Sequence, residues 1–197
     1  MKTSKIAITL LSLILVIGLT TRAETWDVDK AHSSVGFKVS HMVISRVNGK
    51  FDDFSATIVF DGRDLKNASV EASIQMASID TDNEKRDEHL RSGDFFDVSV
   101  YPTMAFKSTK IDPGNGNTFK MTGDLTMRGV TKQITFDAEF NGIQQDPWGN
   151  TRAGFSATTV IDRQDFGVSY NSMLDNGGLM VGNDVTIIIE VEAVMNK

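Results

Sequence analysis

Apolar and polar residues alternate along most of this chain, and the alternation lays out strands. Val35, Phe37 and Val39 are spaced by Gly36 and Lys38. A period of two puts successive side chains on opposite faces, so such a run forms a strand with one buried face. The same period recurs in Phe54, Ala56, Ile58 and Phe60, then in Val70, Ala72, Ile74 and Met76, then in Met104 and Phe106. It continues in Phe119, Met121, Leu125 and Met127, with Gly123 interrupting, and in Ile134, Phe136, Ala138 and Phe140. Phe155, Ala157 and Ile161 mark a seventh strand, and Val185, Ile187, Ile189 and Val191 the last. The pattern predicts eight strands, the second beginning as early as Ile44.

Turn chemistry separates the strands. "DPGNGN" at 112–117 is a turn, and "NG" at 141–142 with "DPWGN" at 146–150 marks another. Arg128-Gly129 can close a tight hairpin. The one helical stretch is "DNEKRDEHLRSGDFF", capped by Asp82 and stopped at Gly93. It has few apolar residues, so it belongs on a surface or across an opening. A short helical turn is also expected at 40–45. Eight short antiparallel strands leave edges exposed unless the sheet closes. The expected fold is therefore all-β, an eight-stranded antiparallel barrel with one or two short helices. Such a barrel holds its own side chains or one elongated apolar ligand. Nine Met and twelve Phe, many on the alternating apolar faces, suit either role.

The first residues change the picture. Lys2 and Lys5 precede an apolar run from Ile6 to Leu19, and Thr21 and Ala23 stand at the −3 and −1 positions of a cleavage site. This is the pattern of a secretory signal peptide over 1–23, and the run is short for a span of ~20 residues. The domain then covers 24–197. Removing the leader's three cations takes the formal charge from −6 to −9. A chain so acidic is a poor partner for nucleic acid. There is no Cys, which excludes thiol catalysis, iron–sulfur clusters and thiolate zinc sites. Export without disulfides points to a bacterial envelope, periplasmic or alternatively secreted.

No catalytic or metal constellation emerges. His32 and His41 are nine positions apart, facing opposite ways on a continuous strand and nearly 30 Å apart at ~3.3 Å per residue. They cannot share a metal there. Ser33 and Ser34 lack the nucleophile elbow of a hydrolase. "DFG" at 165–167 copies a kinase triplet without a nucleotide loop to support it. Asp52 and Asp53 are adjacent, and their side chains diverge. In "RDEHLRS", Arg86 and His89 share a helix face and could meet a phosphate or carboxylate, or simply form a solvated face.

The ordered motifs "WDVDKAHSSVGFKVSHM", "VNGKF", "IDTDNEKRDEHLRSGDFFDVSVYPTMAFKS", "GDLTMRGVTK" and "RQDFG" resemble those of the YceI-like family over 24–195. The resemblance implies a periplasmic or secreted lipocalin-like barrel whose apolar tunnel binds a polyisoprenoid or other long-chain lipid, commonly as a homodimer. The ligand classes it implies are a polyisoprenoid, an isoprenoid quinone or a fatty-acid-like molecule, with no other cofactor and no metal. Carrying the fold over assigns the tunnel lining to Phe37, Val39, Ile58, Phe60, Ile74, Met76, Met104, Phe106, Leu125, Met127, Phe136 and Phe155. His41, Arg46, His89 and Arg91 are assigned to the mouth, facing a head group. The stretch 168–183 carries Met173, Leu174, Leu179 and Met180 in a Gly/Asn-rich setting, as a lid or as a dimer contact. The leading function is lipid sequestration without chemistry. One rival is an enzyme acting on an envelope lipid through His89 or His41. The other is an integral outer-membrane barrel, which the polar Lys38, Lys120, Asp124, Lys132 and Asp137 oppose, because that barrel needs an apolar outside.

Overall fold

The computed structural model describes residues 24–173 and 179–196. The predicted leader lies outside the described residues. Among the described residues, eleven hydrogen-bonded segments make eight barrel strands, because three strands are interrupted. β1 (Glu24–Val28) and β2 (Ser34–His41) form one strand broken by a 3-10 turn at Lys30–His32. β3 (Ser45–Phe51) and β4 (Phe54–Phe60) form the second, broken at Asp52-Asp53. β5 (Ser69–Gln75) and β6 (Ile79–Asp80) form the third, broken by a 3-10 turn at Met76–Ser78. The others are β7 (Thr103–Pro113), β8 (Thr118–Met127), β9 (Val130–Gln145), β10 (Thr151–Asp162) and β11 (Val181–Met195), with one helix, α1 (Glu84–Arg91).

The strands pair antiparallel around a closed ring. β11 pairs with β10 along one edge. Its other edge meets β2, with Ile187 opposite Phe37, and then β1, with Met195 opposite Trp26. No free sheet edge remains between the first strand and the last, which is how a barrel manages the edge problem. The expected eight-stranded antiparallel barrel is the observed fold. Its breaks have local causes. The Asp29 carboxylate accepts from the Ala31 N–H, offering the backbone a turn instead of the ladder.

The local expectations fare unevenly. Arg128 (φ 50°) and Gly129 (φ 74°) form the tight β8–β9 hairpin. The "NG" at 141–142 is no turn but a bulge within β9, with Gly142 at φ 116° and the register to β10 slipping beside Gly154. Gly123 does not interrupt β8. A Cβ there would lie 2.5 Å from the Phe106 ring, so the glycine makes room for that ring. Asn83 caps α1, not Asp82, which takes a left-handed φ of 58°. The Asn83 side chain accepts from the Arg86 N–H. Residues 40–45 form no helical turn. They are a hairpin tip in which the Ile44 N–H donates to the His41 carbonyl at 3.3 Å. His32 is not on a strand but in the 3-10 turn before β2.

Strand alternation points the apolar faces inward. The main core runs through Phe51, Ile74, Met104, Phe106, Leu125 and Phe136. A second cluster, Trp26, Ile58, Phe60, Ala153 and Ala193, fills the end away from α1. The Trp26 indole N–H donates to the Phe60 carbonyl at 2.9 Å. Outside, cross-strand ion pairs such as Glu71–Lys107 and Lys120–Asp137 stand in solvent.

Candidate functional site

The barrel interior holds two apolar compartments in line. The first, about 130 Å³, is lined from Val28, Phe60 and Val191 at one end to Met104 and Ile187 at mid-barrel. Among the described residues, Ser55 and Ser156 are the only polar ones in its lining. The second, about 100 Å³, lies toward α1 and is lined by Phe37, Val39, Phe51, Leu90, Phe95, Phe96 and neighbours. Val35, Met104 and Ile187 border both and form the waist between them.

Of the residues assigned to the lining, Ile58, Phe60, Ile74, Phe106, Leu125, Phe136 and Phe155 border the first compartment. Phe37, Val39 and Met127 border the second, and Met104 borders both. Met76 lines neither. It is buried in the 3-10 turn between β5 and β6, where the break in the strand takes it out of the alternation. Val70, Ala72, Met121, Ile187 and Ile189, not among the assigned residues, also line the first compartment. All five lie on the alternating apolar faces, so the period of two carries the signal for them.

A cap closes the second compartment. Buried Asp87 of α1 accepts from the Thr81 N–H at 3.1 Å, and the Arg86 guanidinium donates to the Thr81 carbonyl at 2.6 Å. Arg91 donates to the carbonyls of Ala77 and Ile79, both at 2.8 Å. Arg128 donates to the Phe95 and Gly93 carbonyls and so holds the Phe95–Phe96 segment over the opening. The "RDEHLRS" stretch thus staples the cap to the barrel.

None of the four mouth residues borders either compartment. Arg91 is committed to its two carbonyls. His89 pairs with Asp94 at 2.9 Å and packs edge-on against Phe95 and Tyr170. Arg46 lies opposite Ser40, on the face away from Phe37 and Val39. His41 ends β2 opposite Ser45, beside the exposed tip Met42–Ile44. Of the stretch 168–183, Leu174 lies outside the described residues. Met173 and Leu179 are exposed and bridge one another, while the Met180 carbonyl accepts from the Met42 N–H.

At the far end Arg152 binds three carboxylates. It donates to Asp29 at 2.7 Å, to Asp146 at 2.8 Å and to Glu192. The guanidinium, then His32, holds the Asp29 carboxyl down at about 2. Asp29, His32 and Glu192 could together offer ligand atoms to a metal ion, but Arg152 already supplies the positive charge there. This cluster has no signal in the sequence because its members meet only when the barrel closes.

The family profile of the YceI-like domain matches residues 26–193. The chain belongs to the YceI-like family. A UPF0312 protein of Vibrio parahaemolyticus is 43% identical over 161 residues, covering 80% of this chain and 85% of the relative. One from Staphylococcus aureus is 39% identical over 158 residues, covering 80% and 90%. Among solved structures, a Campylobacter jejuni YceI protein superposes with a TM-score of 0.70 at 39% identity, covering 86% of this chain and 96% of that one. Burkholderia cenocepacia BcnA gives 0.72 at 27%, covering 84% and 98%. A polyisoprenoid binding domain from Saccharophagus degradans shares the fold, with a TM-score of 0.65 at 14% identity, covering 89% and 100%. The YceI-like barrel is therefore the scaffold that this chain shares with them.

Proposed function

We propose that the protein sequesters a long-chain lipid, a polyisoprenoid or similar molecule, in the barrel interior without chemical conversion. The observation that carries this reading is the lining of the two compartments, almost wholly apolar and adjacent across the Val35–Met104–Ile187 waist. Each buried methylene contributes about 0.8 kcal/mol, so ten give about 8 kcal/mol before ordering costs, near micromolar affinity. Family membership and the polyisoprenoid binding domain that shares the fold support the same reading. The polar exterior argues against a barrel that faces lipid with its outer wall. No helix among the described residues is long and apolar enough to cross a membrane. The leader pattern supports a periplasmic location, and the family resemblance supports a homodimer.

The test is denaturing mass spectrometry of organic extracts from purified protein, followed by titration of the delipidated protein with long-chain lipids. Recovery of a long-chain species, and saturable rebinding, are expected. Empty preparations that also ignore added lipid refute the reading. The enzyme reading has less support. His89 is paired with Asp94 in an aromatic cluster, with no nucleophile among its described contacts.

A further inference from the structure

The β2–β3 hairpin ends in an apolar tip that stands in solvent. Val43 is 74% exposed, Ile44 85%, and Met42 is exposed beside them. Exposed Met173 and Leu179 adjoin this tip: they bridge one another, and the Met42 N–H donates to the next carbonyl, that of Met180, at 2.8 Å. Single exposed apolar residues are ordinary, but a contiguous group marks an interaction surface. The tip is also held against its backbone preference. Met42 and Val43 both take left-handed φ, where Asn-Gly would be unstrained, and strain of this kind collects at functional sites. Charge adds a second signal. The arm from Ser34 to Phe51 carries Lys38, Arg46 and Lys50 and no acidic residue, in a chain of formal charge −6. Lys50 pairs with Asp52 and Asp80, whereas among the described residues Lys38 and Arg46 enter no ion pair. Arg46 is exposed on the outer face, two residues from Ile44 and about 7 Å along the strand.

We propose that this tip docks the barrel on a phospholipid bilayer, Met42, Val43 and Ile44 entering the boundary between head groups and acyl chains while Arg46 meets lipid phosphates. The proposal deepens the sequestration reading and rests on it for the choice of a bilayer as the occupant. Size agrees with that choice. A stable protein interface uses about 20–30 residues a side, far more than the five apolar side chains gathered here. Shape and charge agree as well. Apolar groups lodge about 5–10 Å into the boundary of a bilayer, and a cation about 7 Å behind the wedge then stands among the phosphates. The position is the one that loading requires. Val39 and Val181 line the second compartment, and Val181 lies opposite His41 at the base of the tip. Docked in this way, the barrel holds its capped α1 end at the lipid surface and keeps its polar outer wall in water.

The chain has no Cys, so a polarity-sensitive dye can be attached at one chosen site of the purified protein. One preparation carries it at Ser45→Cys beside the tip, another at Trp148→Cys, an exposed site at the opposite end of the barrel. Vesicles of phosphatidylcholine with phosphatidylglycerol should shift the dye at 45 to the blue and leave the dye at 148 unchanged. Lipids brominated near the head group should quench the dye at 45. Val43→Asp in the Ser45→Cys protein should weaken partitioning about tenfold or more. Arg46→Gln should weaken it a few-fold and flatten its dependence on salt. Met42→Asn with Val43→Gly relaxes the turn, so the loss of docking expected there is not a loss of fold. A shift at 148 alone, a shift at 45 that survives Val43→Asp, or a salt dependence that Arg46→Gln leaves unchanged overturns the proposal. A shift without vesicles that grows with protein concentration assigns the tip to a second copy and overturns it too. Vesicles that move neither dye overturn docking and leave sequestration standing, since extraction and lipid titration test that reading separately.

Discussion

Filling the first compartment should separate the stability of the barrel from its use. Ala72 lies on β5 between Ala56 of β4 and Phe106 of β7, and it borders the compartment. Apolar space of about 130 Å³ that nothing fills costs about 3 kcal/mol at about 24 cal/mol per Å³. The ring of an Ala72→Phe variant would enter that space and recover part of the cost. Overpacking strain of about 1 kcal/mol or more offsets some of the gain. The expected net is about 1–2 kcal/mol in favour of the folded state, a rise in Tm of about 2–8 °C for a domain of this size. The same ring displaces ligand. Excluding four methylenes removes about 3 kcal/mol, more than a hundredfold in affinity. Calorimetric unfolding of the delipidated variant and titration with a long-chain lipid measure the two effects, with Ala72→Val as a graded intermediate. A folded variant of unchanged lipid affinity would show that the ligand does not use this compartment, and the reasoning from its lining would fail.

Other consequences can be measured directly. Met42 and Val43 take left-handed φ of 52° and 65°, which costs a β-branched residue about 1–2 kcal/mol, so replacing the pair by Asn-Gly should stabilise by about that much in chemical denaturation. At Gly49 a Cβ would lie 2.3 Å from the Phe37 ring, which packs 5.8 Å from Phe51. Gly49→Ala should therefore cost about 1–3 kcal/mol and perturb the second compartment, read from the melting curve and from lipid titration. Because the folded pKa of Asp29 is depressed from 3.8 to about 2, its contribution is full above about pH 4 and is lost as pH falls toward 2. Arg152→Met should remove that contribution and move the acid limb of Tm against pH upward. Trp26 is 1% exposed and Trp148 79%, so Trp148→Phe should leave a blue-shifted emission from Trp26 alone that reports the closed end of the barrel.

The strand count, the closure of the sheet and the inward faces were readable from a period of two, because that period follows directly from the pleat. Eleven of the twelve residues assigned to the lining border a compartment for the same reason, and Met76 does not because the strand breaks beneath it. What lay beyond the pattern were features made by distant parts meeting. β1 was too short to register as a run, yet Trp26 seals one end of the barrel. Asp29, Asp146, Arg152 and Glu192 come together only across the closed sheet. The cations of the helical stretch could have met a ligand or formed a solvated face; Arg86 and Arg91 instead are engaged by carbonyls at its base. Nothing in the sequence marks Arg163, buried at the start of the "RQDFG" turn, as internal.

The ring of strands closes where β11 meets β2 and β1, joining the end of the described chain to its beginning. The other neighbour pairs can form before β11 exists, but its pairings with β10, β2 and β1 wait for the last strand. Such long-range pairing makes folding slow, since loop-closure entropy must be met before the contacts reward it. Until β11 arrives, β2 and β10 present open edges and the interior is unenclosed. The fifteen residues of β11 therefore act as a timing device, and a chain truncated before Val181 should stay an aggregation-prone open sheet instead of a smaller barrel.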